Sequence, residues 1–336
     1  MKAVVFYEHG GIDKLVFEPD YPDPQATPDQ VRIRVRAVAL NYFDIFSRRG
    51  MPSVSVPLPM ITGGDIAGEV EQAGAEVTGW KPGDRVVVNP LFYVDGRMRL
   101  MGETAPGGLC GLVCVRPDQL IALPGNVSFE QAAALPVAYG TAQRMMVTRG
   151  QVAADDRVLI LGASGGVGTA CVQIAKRAGA EVVACASSSE KLERLRELGA
   201  DHGINYAEDD MVEAVHQLYG KPRITGGGGV TMVINFTGGD TWVPSLKCLG
   251  PKGRLLTCGA TAGFDPQTDI RYIWSFEHNI LGSNAWTRDD LETMLHLVAS
   301  GDIEPVIDSV QPLEQTADAE GRLERREILG KVILTP

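Results

Sequence analysis

Apolar and charged residues alternate through Val31–Val38, V-R-I-R-V-R-A-V. That period of two predicts a strand with one wet face. The segments I-A-G-E-V-E-Q-A-G and G-D-R-V-V-V continue the texture between frequent Gly and Pro. Residues 1–122 therefore read as an antiparallel, barrel-like β domain. From Leu123 the texture changes to strands alternating with helices, with strands predicted at 157–161, 181–186, 202–206, 230–236, 254–258 and 279–284. Runs such as V-L-I-L and M-V-I-N-F are apolar throughout, as parallel strands covered on both faces require. Six such strands predict an α/β domain over 123–286 built on a doubly wound parallel sheet. Residues 287–336 hold a helix and closing strands, and are expected to return to the first domain.

Where the first of these strands ends, the chain reads L-G-A-S-G-G-V-G, and a helical stretch follows directly. Glycines let the backbone turn tightly and approach a phosphate, while a helix N-terminus offers free N–H groups and a positive dipole end. The strict form here is A-x-G-x-x-G, with Ala163, Gly165 and Gly168, and the turn Ala163, Ser164, Gly165, Gly166, Val167, Gly168 is expected to hold a dinucleotide pyrophosphate. A second glycine run, Gly226–Gly229, precedes a strand and reads as a surface connection.

Composition narrows the function. A net charge of −11 over 336 residues argues against nucleic acid or an anionic membrane as partner. Cysteines 110, 114, 171, 185, 248 and 258 are scattered through apparent core elements, the usage of a reducing compartment. Cys110 and Cys114, four apart on an apparent strand, are expected to face the same side as buried small hydrophobes. No apolar run approaches the ~18 residues of a membrane span, and Met1 leads straight into a strand, so a cytoplasmic protein is expected.

Further segments carry a resemblance: G-G-D-I-A-G-E-V (63–70), W-K-P-G-D-R-V (80–86), A-A-A-L-P-V-A-Y-G-T-A (132–142), the glycine turn, L-G-A-D-H (198–202) and G-K-V-I-L (330–334). Together they make the chain similar to the medium-chain dehydrogenase/reductase superfamily over nearly its whole length. The resemblance implies a GroES-like catalytic domain plus a Rossmann domain, with the active site in the cleft, and points to the zinc-free quinone oxidoreductase and enoyl reductase branch. Zinc members place a Cys where this chain has Asn41, and a His in the segment that aligns with Gly63-Gly64-Asp65. Their structural zinc loop carries four Cys, whereas 89–109 here holds none. Asp44 and Asp65 alone make a poor zinc site, so no metal is expected.

Cofactor choice is read at the end of the second strand of the 123–286 domain. There Ser187-Ser188-Ser189 is followed by Glu190, Lys191 and Arg194. Hydroxyls and a lysine suit a 2′-phosphate, and relatives that prefer NADPH resemble this chain at Lys191 and Tyr206. Ser187-x-x-Glu190 also reads as a helix capping box, and both readings can hold. Glu190 is the feature that favours NADH. Other cofactor contacts implied by the resemblance are Asn41, Thr141, Phe236, Gly259, Asn284 and Lys331.

Without zinc, reduction of an isolated ketone lacks its Lewis acid. A conjugated carbonyl eases this, because hydride added at the β-carbon spreads charge into an enolate that hydrogen-bond donors can hold. The reading is NADPH-dependent reduction of the activated C=C of an enone, enal or enoyl thioester, with quinone reduction as the alternative. A catalytically idle NADPH-binding protein, structural or RNA-associated, is the alternative of another class. Asn41, Tyr42 and Tyr93 are the candidate catalytic residues, and either tyrosine can equally be a packed aromatic. Met51, Met60, Phe92 and Trp274 are apolar candidates near the predicted mouth. A homodimer is expected through the edge strand near Asn279–Ala285, since an exposed apolar edge invites pairing.

Overall fold

The computed structural model describes residues 1–51 and 54–336. They form two compact units, Met1–Ala138 with Leu291–Pro336, and Tyr139–Asp290.

The first unit is built on a seven-stranded sheet that runs Ile307–Pro312, Lys331–Thr335, Val31–Ala39, Asp65–Ala73, Arg85–Val88 and Leu120–Ala122, with Leu112–Val115 also paired to Val31–Ala39. Its pairs are antiparallel except the first, which is parallel. The alternation in Val31–Ala39 sorts as its pattern requires. Val31, Ile33 and Val35 enter the core with Ile66, Val70 and Val86, while Arg32 and Arg34 pair with Glu71, and Arg36 with Glu69, on the wet face. Register brings the ends of three strands to one place. Ala39 lies opposite both Asp65 and Ile333, so one strand end meets the starts of two others.

The unit extends past the change of texture at 123, because helix Phe129–Ala133 packs on strands Val31–Ala39 and Asp65–Ala73. The second unit likewise runs beyond 286. Asp290 accepts hydrogen bonds from Thr148 Oγ1 and the Thr287 N–H, both at 2.8 Å, which holds the segment to that unit. Cys110 and Cys114 do not share a side. The strand begins only at Leu112, so Cys110 joins Val113 and Val115 in the core, while Cys114 lies opposite Arg32.

In the second unit all six strands are parallel, ordered His202–Asn205, Glu181–Ala186, Arg157–Ile160, Val230–Ile234, Leu249–Thr257 and Asn279–Gly282. This is the doubly wound order in which the sheet reverses direction beside its first strand. Leu159, Val183, Ile204, Val233 and Leu255 fill its core. The fourth strand stops at Ile234 rather than 236, because Asn235 Oδ1 turns back to accept the N–H groups of Thr237 (3.0 Å) and Gly238 (2.9 Å). The fifth starts at Leu249, earlier than its sequence pattern indicated, and the sixth ends at Gly282. Gly226–Gly229 all have positive φ, between 69° and 114°, and form the turn into Val230–Ile234.

Candidate active site

Three strand ends meet in the first unit and bring three polar side chains together. Asn41 follows Val31–Ala39, Asp65 opens its strand, and Lys331 opens the last one. Asn41 Nδ2 donates to Asp65 Oδ2 at 2.9 Å. Lys331 Nζ donates to Asn41 Oδ1 (2.6 Å), Leu40 O (2.8 Å) and Asp65 Oδ2 (3.1 Å). The other Asp65 oxygen accepts the Val137 N–H at 2.8 Å. Asp65 is fully buried and Lys331 only 2% exposed, so this is an ion pair out of water whose remaining valences are filled by neutral partners. Asn41 is thereby held by both ends of its amide.

Asp44 builds the floor beside it. One oxygen accepts the Asn41 N–H and the other the Gly63 N–H, both at 2.8 Å, so it orders the start of helix Tyr42–Arg49 and the Gly63-Gly64 turn together. Burial drives the Asp44 carboxyl up to about 8, with Glu320 and Asp65 adding to the rise and the two N–H groups opposing it. Burial also raises Asp65, against Lys331 and Asn41.

Asp44 gives a prediction with a definite sign. The folded chain keeps a proton that the unfolded chain releases near 3.8. Its contribution to stability is therefore full below that value and declines as pH rises, until the folded group ionises near 8. The slope is at most about 1.4 kcal/mol per pH unit. Asp44→Asn is expected to be less stable overall, with a flatter decline between pH 5 and 8, read by urea unfolding across that range. An equal slope in both proteins would assign the pH dependence elsewhere.

The candidate tyrosines part company. Tyr42 opens its helix, half-buried, with its ring edge-on to Phe46 at 5.4 Å. Tyr93 stands 59% exposed on the hairpin Leu91–Val94/Arg97–Leu100, and among the described residues no hydrogen bond joins it to the Asn41 cluster. The four apolar candidates have different surroundings within their own units. Met60 is buried with Phe6 and Val56, Phe92 packs on the sheet core, Met51 bridges to Val54, and Trp274 is exposed in the second unit.

In the second unit the glycine turn has the geometry a pyrophosphate needs. Gly165 caps helix Gly166–Arg177 in an extended conformation. A Cβ placed there meets nothing nearer than Gly162 O at 3.5 Å, so the space beside it is open to a ligand. A Cβ on Gly168 would stand 2.3 Å from Gly162 O and 2.6 Å from Ala163 Cα, so this glycine serves the turn's own packing. Buried Ala163 donates its N–H to Cys185 O at 3.1 Å, tying the turn to the second strand, and Ser164 and Val167 complete it, half-buried. A Cβ on Gly162, with φ +61°, would lie 3.1 Å from the Phe236 ring, and one on Gly259 would lie 3.7 Å from Phe236 O. Phe236 and Gly259 therefore join the turn at the carboxyl edge of the sheet.

Buried Thr141 lies on helix Gly140–Gln143, which packs on the glycine-turn helix. Gly140 abuts Trp286, two residues past exposed Asn284. Tyr206 donates its N–H to Ala186 O at 3.1 Å, which sets it beside Ser187 and Ser188. The helix cap there is Ser188, whose Oγ accepts the Lys191 N–H at 3.3 Å. Ser187 is thus the residue before the cap, and the predicted Ser187–Glu190 box is displaced by one position. The turn, the serines and Lys191 fit an adenine dinucleotide.

Asp65 was legible in the sequence only as a leftover carboxylate, and Lys331 only through the resemblance. Their pairing with Asn41 depends on register, which no local pattern encodes. Among the described residues no group of three or more His, Cys, Asp or Glu is arranged to hold a metal ion. No helix among them is long and apolar enough to cross a membrane.

Residues 27–125 match the family model of the alcohol dehydrogenase GroES-like domain, and residues 166–300 match that of the zinc-binding dehydrogenases. A quinone oxidoreductase of Pseudomonas aeruginosa is 32% identical, covering 100% of this chain and 99% of the relative. An NADPH-dependent alkenal/one oxidoreductase of Arabidopsis thaliana, chloroplastic, is 32% identical over 100% of this chain and 80% of its own. Among solved structures, an NAD-dependent alcohol dehydrogenase superposes with a TM-score of 0.92 at 35% identity, over 100% of both chains.

Proposed function

Since this chain belongs to the medium-chain dehydrogenase/reductase superfamily, in its quinone oxidoreductase and enoyl reductase-like branch, we propose that it reduces the activated C=C bond of α,β-unsaturated carbonyl compounds with NADPH. That it is an oxidoreductase follows from the relatives; the bond and the cofactor are our reading. The observation that carries the reading is the Lys331 ammonium among Asn41 Oδ1, Leu40 O and Asp65 Oδ2. The oxygens converging there already bond a cation, and among the described residues no group of three or more His, Cys, Asp or Glu is arranged to hold a metal ion. A metal seat of the usual zinc kind is absent from that donor set. A substrate reduced there must spread its own charge, as a conjugated carbonyl or a quinone does.

NADPH, when bound, would supply the hydride from its dihydronicotinamide and leave as NADP+. The glycine turn from Ala163 to Gly168 holds the pyrophosphate, and Ser187, Ser188, Lys191 and Tyr206 receive the 2′-phosphate. Asn41, which the resemblance assigns to the nicotinamide, is held by Asp65 and Lys331. NADPH over NADH is supported by the serines and Lys191 and by the NADPH-dependent relative. The NAD-dependent structural neighbour and Glu190 make the ratio of the two rates a decisive measurement. The relative named quinone oxidoreductase favours quinones as the second reading.

The test follows NADPH and NADH oxidation against 2-enals, enones, enoyl thioesters and quinones, with products identified by mass. Saturated products with the carbonyl intact support conjugate reduction. Turnover of quinones alone replaces it with the second reading. Tight cofactor binding without any turnover points to the idle one.

We also propose a homodimer in the cytoplasm. Strand Asn279–Gly282 is the open edge of its sheet, and Ile280 on it, with Ile270 and Trp274 nearby in the chain, is exposed. Six unbridged cysteines suit a reducing compartment. Light scattering is expected to give twice the chain mass for the native protein and the single chain mass for Ile280→Lys. Equal masses for the two would refute pairing at this edge.

A further inference from the structure

We propose that Arg48 and Glu320 are positioning residues for Asn41, forming a second joint at the far end of the helix that Asn41 opens. This rests on the reading above, in which Asn41 meets the nicotinamide, and extends it to a pair well away from that amide. Arg48 is in the last turn of helix Tyr42–Arg49, and Glu320 is on helix Thr316–Glu324; both side chains are fully buried. Arg48 Nε donates to Glu320 Oε2 at 2.9 Å, Nη1 donates to Gly10 O at 2.8 Å, and Nη2 reaches Glu324. The backbone closes the same helix end, with Gly10 N–H donating to Arg48 O at 3.0 Å. Charged side chains are seldom buried so completely. Stability is a weak reason for it, because apolar side chains of the same volume often do as well. The reason is weaker still here, since Glu320 Oε1 has no hydrogen-bond partner among the described residues. What a guanidinium fork provides over an apolar contact is direction, because it holds two carboxylates at fixed angles.

Both joints are made by the same C-terminal stretch. Glu320 and Glu324, one turn apart, grip the helix at Arg48, and Lys331 grips Asn41 just ahead of its first turn. The chain between them is braced rather than slack. Asp308 accepts from Arg322 Nη2 at 2.7 Å with one oxygen and from the Leu329 N–H at 3.0 Å with the other. Asp308 itself belongs to strand Ile307–Pro312, the parallel neighbour of Lys331–Thr335. Lys331 N–H adds a bond to Val306 O at 2.9 Å. At about 1.5 Å per residue, the two joints stand roughly 10 Å apart along the helix. A joint at Asn41 alone would let a helix of eight residues swing about its first turn, and the joint at Arg48 fixes the far end. Asp44 shares a buried face with Arg48, four residues on, so such a swing would also pull Asp44 from the Asn41 and Gly63 N–H groups. Asn41 is thus held through Arg48 as well as through Asp65 and Lys331.

The experiment reads the joint both with and without turnover. Arg48→Met keeps an apolar stem and drops the fork. Arg49→Met is the control, since exposed Arg49 meets Glu324 Oε2 at 3.0 Å from the outside and leaves the Arg48–Glu320 bond untouched. In protein free of cofactor, hydrogen exchange of the Asn41 side-chain amide is followed by NMR, its signals assigned by their loss in Asn41→Ala. Exchange is expected to be about tenfold faster in Arg48→Met and at the native rate in Arg49→Met. With NADPH and a substrate that native enzyme turns over, kcat is expected to fall at least about tenfold in Arg48→Met, with KM for NADPH within about twofold. A pair that merely stabilised the fold would lower the unfolding temperature and leave the amide exchange and the kcat of folded enzyme at native values. That outcome, or a change in one of the two without the other, overturns the proposal. Arg48→Lys and Glu320→Gln weaken the joint without removing it and are expected to show both effects at about threefold, which keeps the test open if Arg48→Met does not fold. Should native enzyme reduce neither C=C bonds nor quinones, the catalytic reading falls, and the amide exchange alone decides whether Arg48 holds Asn41.

Discussion

Lys331→Met is expected to lower stability by about 3–5 kcal/mol, the scale seen when one member of a buried ion pair is removed. The substitution keeps the length of the side chain but deletes the ammonium. Asn41 Oδ1 and Leu40 O lose their donor, and Asp65 Oδ2 keeps only the Asn41 amide. An uncompensated carboxylate with no exposure has no water to turn to. Urea unfolding of the first unit measures the loss. The double variant Lys331→Met/Asp65→Asn should lose less than the sum of the single changes, because it removes the orphaned charge as well. Additive losses would mean that the two groups do not stabilise one another. Activity should fall in both variants, since Asn41 loses its restraint.

Gly165→Val should abolish cofactor binding, by at least about a hundredfold in Kd, on an unchanged fold. Its φ of −78° suits any residue, and the protein leaves room for the Cβ. The added methyls enter the space a pyrophosphate needs. Gly168→Val should instead damage the fold, since its Cβ would overlap Gly162 O and Ala163 Cα. Fluorescence titration with NADPH and thermal unfolding separate the two. A Gly165→Val protein that binds NADPH normally would place the pyrophosphate away from this turn. A Gly168→Val protein as stable as native would contradict the crowding inside the turn.

The two sites differ in how far a sequence can reveal them. Strands of the second unit are covered on both faces and read as unbroken apolar runs, and the glycine turn is a local motif. Both were therefore visible without any knowledge of packing. Strand ends were less so. Asn235 ends its strand through its own side chain, and Ser187 and Ser188 are equally able caps, with the backbone choosing the second. The inward and outward sides of Cys110 and Cys114 depended on where a strand begins. The Asn41–Asp65–Lys331 cluster was the least legible part. Each residue is unremarkable in its own neighbourhood, and only the register that sets Ala39 against Asp65 and Ile333 brings them within hydrogen-bond reach.

That register also orders events in time. Lys331 reaches Asn41 across 290 positions of chain, whereas the second unit is one continuous segment, Tyr139–Asp290. As the chain leaves the ribosome, the second unit has all six of its strands before the first unit receives the strand Lys331–Thr335. Until residue 331 emerges, Asp65 has no cation beside it and the central sheet lacks the strand that joins Val31–Ala39 to Ile307–Pro312. The Asn41–Asp65–Lys331 cluster is therefore closed late, by the strand Lys331–Thr335, long after the strands that carry its other two members have been made.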